Sequence, residues 1–251
     1  MVIEYVKKAW DTYKNNATSF IVAKIVSIVI VGIIAAIGIG TIFSSFGWMR
    51  MAEFGTEEQM AAYIEQIMQS PMAQFSILMG LGGAIIFFLL AAIAGVLLKI
   101  GIYGMAAESL RGRTKVETMF KIARQKGLNA IAAAVIMGIV FFILLMIMEG
   151  LSIALPLVGT VIGFIILIAV AILFVLVPPA IVIERTGVLN SIQKAVKIAK
   201  KNYFELLGLL IIYGIVTLLV AWIPIIGPLV ILLVIGPMLS ISLVFFYRKK
   251  K

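Results

Sequence analysis

Six stretches of this chain, at about 19–46, 76–104, 128–149, 158–182, 204–222 and 228–247, are apolar almost without interruption. A bilayer core demands roughly 20 apolar residues in a helix, and inside it every backbone N–H and C=O must find its partner within the segment. The sequence therefore predicts an all-α protein with a six-transmembrane-helix bundle. Composition agrees, with 63% hydrophobic and 13% charged residues against about half and a quarter in a soluble domain. Spans and connections use up nearly all 251 residues. A single integral membrane domain, 1–251, is expected, with no room for a separate soluble catalytic domain.

The spans follow a period. A short basic amphipathic segment precedes the first, third and fifth. Its apolar stripe is Val6, Ala9, Trp10 and Tyr13, then Val116, Met119, Phe120 and Ala123, then Ile192, Ala195, Val196 and Ala199. The copies superpose without gaps at offsets of 110 and 76, and each has a base just after its stripe: Lys14, Arg124 and Lys200. Such a recurrence is the mark of a repeat architecture. It predicts three units, about 1–105, 106–183 and 184–251, each an amphipathic cytoplasmic helix plus a membrane hairpin. A further amphipathic helix at about 56–70, opened by Thr56 and Gln59, is expected on the outer side.

Charge sets the orientation. The connection after the first span carries Glu53, Glu57, Glu58 and Glu65 against Arg50, and the one after the third carries Glu149. The opposite side holds Arg111 to Lys126, Arg185 to Lys201 and Arg248 to Lys251. By the positive-inside rule both termini are cytoplasmic, in a multi-pass protein of the plasma membrane. A net charge of +10 would suggest nucleic acid in a soluble protein. Here the bases flank membrane spans, so orientation and attraction to anionic lipid account for them, and no nucleic-acid partner is expected.

Those bases are the first candidate site. Lys14, Lys121, Arg124, Lys194, Lys197, Lys200 and Lys201 are expected to contact anionic inner-leaflet lipid, each segment lying with its stripe toward the membrane. A second copy of the chain or a partner membrane protein is the other class of partner. Thr114 with Glu117 has the form of a capping box, and Asn190 of a cap for the third segment. Glu108 and Glu184, equivalent at the offset of 76, are expected to neutralise Arg111 and Arg185 and to latch a span end to the following helix.

Within the spans, Lys24 and Lys99 lie near the cytoplasmic side, where a lysine can snorkel to water. Pro178, Pro179 and Pro237, the last beside Gly236, are candidate helix breaks, because each proline removes a hydrogen bond and frees a carbonyl. Small residues four apart (Gly32, Ala36 and Gly40; Gly80 and Ala84; Ala91 and Gly95; Gly159 and Gly163) predict close helix packing. Cysteine and histidine are absent, which removes disulfides, thiol nucleophiles and the usual zinc, haem and copper ligation. No nucleophile–base–acid set can be assembled. The expectation is therefore a protein without catalytic residues, cofactor or metal.

The stretch Pro179-Ala-Ile-Val-Ile-Glu184-Arg-Thr-Gly187, followed by Ser191-Ile192, Lys194-Ala195 and Lys200-Lys201-Asn202, resembles the membrane domain attached to some glycerophosphodiester phosphodiesterases and its uncharacterised archaeal and bacterial relatives. Pro237 and Phe246-Tyr247-Arg248 fit the same group. The resemblance implies a fold and a membrane-embedded helper role. In those enzymes catalysis belongs to a separate barrel with histidine and acidic ligands, which has no counterpart here. The expected function is a non-enzymatic, lipid-contacting scaffold or accessory component; the alternative is a channel or uniporter-like path for a small or amphiphilic solute.

Overall fold

A computed structural model of the chain describes residues 2–45, 56, 58, 62, 65, 70–184 and 186–251. Regular structure among them is helical: α1 (Val2–Ser45), α2 (Pro71–Ser109), α3 (Val116–Ala154), α4 (Pro156–Phe174), α5 (Val177–Ile183), α6 (Val188–Lys201), α7 (Tyr203–Ala221), α8 (Ile226–Val230), a π-helical turn (Ile231–Ile235) and α9 (Gly236–Lys250). Six stretches of helix among the described residues are long and apolar enough to cross a membrane. The outer helix expected at about 56–70 falls mostly outside the described residues.

The chain divides into two compact units, Val26–Gly95 and the pair of segments Met1–Ile25 and Val96–Lys251. In the smaller unit α1 and α2 meet through small residues. A Cβ on Gly38 would stand 3.0 Å from Phe87 Cβ, and one on Gly83 would touch Thr41. Gly80, Ala84 and Ala91 are buried as the sequence suggests. The α1 ladder of Gly32, Ala36 and Gly40 is instead exposed. The residue that admits Phe87 is Gly38, about 200° around the helix from Ala36 and Gly40.

In the larger unit α9 is buried on nearly every side, from Pro237 through Ser240–Val244 to Phe246 and Tyr247. A helix apolar all round belongs in a core. Its two buried serines are both satisfied: Ser240 Oγ donates to the Gly236 carbonyl at 3.1 Å, Tyr213 OH lies 2.7 Å from Ser242 Oγ, and Ser242 Oγ donates to the Tyr5 carbonyl at 3.2 Å. Glycines set the helix crossings. Gly101 lies against the main chain of Met119, Gly104 against Ile122 and Gly127 against Leu97, which brings α2 onto the start of α3. Gly159 and Gly163 seat α4 on Leu151 and Met148 of α3, so the small pair read from the sequence is a packing seam.

The three basic segments are built differently from one another. The first two run without a break into the apolar helices as α1 and α3, whereas the third, α6, is separated from α7 at Asn202. Asn202 leaves helical geometry (φ −120°, ψ 32°), and its Nδ2 donates to the Ile198 carbonyl at 3.0 Å. Part of each stripe packs inside the protein and part faces outward. Ala9, Tyr13, Met119, Ile192, Ala195 and Ala199 are buried within the protein, while Trp10 and Phe120 point outward, 44% and 45% exposed. Alanines on the stripe let neighbouring helices approach, so the apolar face is used for tertiary packing. The expected caps also differ. Thr114 and Asn190 make no side-chain cap, because the helices start at Val116 and Val188. Thr114 donates its hydroxyl to Glu108 and its N–H to Asn16 Oδ1.

Of the candidate breaks, the chain leaves the helix just ahead of Pro178 and Pro179, whereas at Gly236 and Pro237 it passes from a π-helical turn to α-helix without leaving helical geometry. α4 stops at Phe174 and α5 restarts at Val177, with Pro178 and Pro179 in its first turn. Gly236 and Pro237 open α9 directly after the π-helical turn. Without an N–H, Pro237 leaves the carbonyl of Leu233 without its α-helical donor. The Tyr13 hydroxyl fills the gap, donating to Leu233 O at 3.1 Å. Tyr13→Phe should therefore destabilise the protein by about 1 kcal/mol, the cost of an unmet acceptor in a half-buried position. In a Pro237→Ala background, where the backbone can supply the donor, the same change should cost little. Equal penalties in the two backgrounds, read from thermal unfolding of the four variants, would refute this coupling.

Candidate basic binding site

The basic ends of the helices are organised around Glu184, the residue after α5. It is 4% exposed, and its carboxylate accepts from Lys194 Nζ at 2.8 Å, Lys251 Nζ at 2.7 Å and Tyr247 OH at 3.1 Å. Its carbonyl accepts from Lys126 Nζ at 2.7 Å. Burial alone would raise the pKa of Glu184, but donation from the two lysines and the tyrosine prevails and holds it at about 2. Glu108 makes the same kind of latch with neutral donors. Its Oε2 accepts from Thr114 and Thr118 hydroxyls, both at 2.6 Å. Thr118 and Lys194 are themselves 76 residues apart, so both acids reach the same turn of the helix that follows them. Glu108 thus spends its carboxylate on threonines where Arg111 was expected, and Arg185 lies outside the described residues.

The C-terminal run of lysines is distributed among three acids. Lys249 pairs with Glu4 of α1, Lys250 with Glu205 of α7 and Lys251 with Glu184, each at 2.7 Å. Nothing in the local sequence announces this, since the acids come from remote positions. The signal was available only as arithmetic: acids are scarce among so many bases, so each is in demand.

Two pockets open beside these latches. One, of about 340 Å³, is walled by Lys194, Lys197, Lys201, Tyr247, Lys250 and Lys251. The other, of about 570 Å³, is walled by Lys8, Thr12, Asn15, Asn16, Gly112 and Arg113. Lys8 and Asn15 stand 186 residues before Lys194 and Lys201, so the two pockets use corresponding helix positions. Their electrostatics differ. The first keeps exposed Lys197 and Lys201 unpaired among the described residues, whereas the second has an acid, Asp11, in its own lining beside Lys8 and Arg113.

The remaining candidates fall apart from this cluster. Lys14 lies 3.4 Å from Asp11 and 5.6 Å from the centre of the Trp10 ring. Lys121, Arg124 and Lys200 are exposed. Half-buried Lys24 has its ammonium 3.8 Å from where Gly236 would carry a Cβ, beside the junction of the π-helical turn and α9. Lys99 and Pro178 share a third pocket, of about 290 Å³, with an apolar lining. Among the described residues no group of histidine, cysteine, aspartate or glutamate could hold a metal ion.

Long apolar helices with outward-facing Ile, Leu and Phe side chains, together with lysines gathered at their ends, define a multi-pass membrane protein. The chain belongs to the family described as domain of unknown function DUF7847, whose model matches residues 60–247. No curated protein and no solved structure matches the chain.

Proposed function

We propose that this is a non-enzymatic membrane component of three helix–hairpin repeats, with both termini inside the cell, whose basic helix ends hold anionic lipid of the inner leaflet. The observation that carries the reading is the pocket beside α6. Most of its charge is committed to Glu184 and Glu205, yet Lys197 and Lys201 remain available at its mouth. The likeness in placement of Glu108 and Glu184, and of the two basic pockets, supports the repeat. The burial of the stripes makes the helices rigid parts of the protein, so the lysines are presented from a fixed frame. The resemblance to phosphodiesterase-associated membrane domains fits a helper role.

Each base near an anionic surface is worth about 1 kcal/mol. Reversing both free lysines, Lys197→Glu with Lys201→Glu, should lower preference for anionic over zwitterionic lipid at least roughly tenfold. Lys194 is left intact to preserve the Glu184 latch. Quantifying lipid retained by the purified protein from mixed bilayers reads this out; an unchanged anionic fraction would remove the proposal's support. The second reading, a uniporter-like path for an amphiphilic solute, draws on the pocket that Lys99 and Pro178 share. Its test is solute flux in proteoliposomes, which Pro237→Leu should abolish.

A further inference from the structure

The pocket beside Lys99 has the proportions of a lipid-chain groove with a head-group anchor. Its floor is one face of α3, Ala130, Ala134, Met137 and Phe141, and its other wall includes Pro178. From residue 130 to 141 a helix rises about 16 Å, so the floor is long and narrow. Two alanines keep the floor low enough to admit a chain. Its volume of about 290 Å³ lies at the bottom of the roughly 300–1,000 Å³ range of ligand pockets, room for one hydrocarbon chain and not for a whole lipid.

Lys99 sits at one end of this floor. The contact of Gly127 with Leu97 and of Gly101 with Met119 sets Lys99 level with the basic start of α3, and Ala130 comes next along that helix toward the apolar middle. The ammonium is exposed and has no hydrogen-bond or ion-pair partner among the described residues. A cation at the mouth of an apolar slot is complementary to an anionic amphiphile: charge at Lys99, tail along Ala130 to Phe141. A lysine beside lipid without a counter-ion is costly, and a membrane lipid supplies one without a protein partner.

We infer that this groove is a stoichiometric site for one chain of an anionic phospholipid, its phosphate held by Lys99 and its tail laid along α3 against Pro178. The site rests on the membrane reading above but is separate from the α6 pocket. It predicts a single tight lipid in place of a diffuse preference.

Native mass spectrometry of the full chain with phosphatidylglycerol and phosphatidylcholine tests it. Wild type should retain one phosphatidylglycerol more tightly than any further lipid. Lys99→Gln should weaken that first binding roughly tenfold, the loss of one charge-assisted contact, and Lys99→Arg should restore most of it. Ala134→Leu, which narrows the floor, should weaken it with Lys99 intact. Lys197→Gln with Lys201→Gln should leave it unchanged, so failure of the α6 proposal and failure of this one give different patterns. If Lys99→Gln binds the first lipid as tightly as wild type, or if all lysine substitutions act alike, the groove is not a site. Equal retention of phosphatidylcholine would likewise overturn the phosphate assignment.

Discussion

Replacing Glu184 with alanine is expected to lower the thermal stability of the protein by about 5–10 °C. Glu184 is almost fully buried, and its carboxylate joins Lys194 of α6, Tyr247 of α9 and the C-terminal Lys251. Its pKa, held at about 2 against an ordinary 4.5, corresponds to on the order of 3 kcal/mol at neutral pH. For a chain of this length each kcal/mol moves the midpoint by roughly 2–4 °C. The lysine partners are about half exposed, so water takes back part of what they lose, which favours the lower end. A depressed carboxylate pKa stabilises above the unfolded value. This contribution should therefore be complete above about pH 5 and fade as the pH falls toward 2. Glu184→Gln keeps the shape and removes the charge, so its deficit should be large at neutral pH and vanish in acid. Thermal-shift measurements across pH check both statements; a deficit that does not depend on pH would mean that packing, and not charge, is what Glu184 provides.

A comparable loss is expected at Gly101, through sterics alone. A Cβ there would overlap the carbonyl of Met119, which belongs to the main chain and cannot rotate aside. Gly101→Leu must push α2 off α3, and overpacking of this kind costs about 1–3 kcal/mol, more where backbone has to move. The control is Gly138→Leu on α3, where no atom lies within 4 Å of the added Cβ. The first variant should lose yield and several degrees of thermal midpoint while the second behaves as wild type. Equal behaviour would mean that the two helices do not cross at Gly101.

Long-range apolarity and local breaks were legible in the sequence, because both are properties of contiguous residues. The long apolar helices follow directly from hydropathy, and the interruption ahead of Pro178 and Pro179 from the missing proline N–H, whereas Gly236 and Pro237 change the helix type without interrupting it. So does the latch role of Glu108 and Glu184, since the acid and its helix are close in sequence. What the sequence hid depends on partners far away. Amphipathicity separates an apolar face from a polar one but does not say whether the apolar face meets lipid or protein, so the burial of Ala9, Ala195 and Ala199 against neighbouring helices could not be read from it. Thr114 looked like a cap because its pairing with Asn16, 98 residues away, is invisible locally. Among glycines, spacing found the Gly159–Gly163 seam but missed Gly38, Gly101 and Gly127. Their need for a small residue is set by Phe87, Met119 and Leu97 on other helices.

Sidedness is the claim on which the lipid proposals rest, and the absence of cysteine makes it directly measurable. Single substitutions Lys197→Cys on α6 and Glu149→Cys near the far end of α3 each create a unique thiol. With a membrane-impermeant maleimide applied to intact cells, Glu149→Cys should label at once and Lys197→Cys only after permeabilisation. Immediate labelling of Lys197→Cys in intact cells would place the basic helix ends outside and contradict the account.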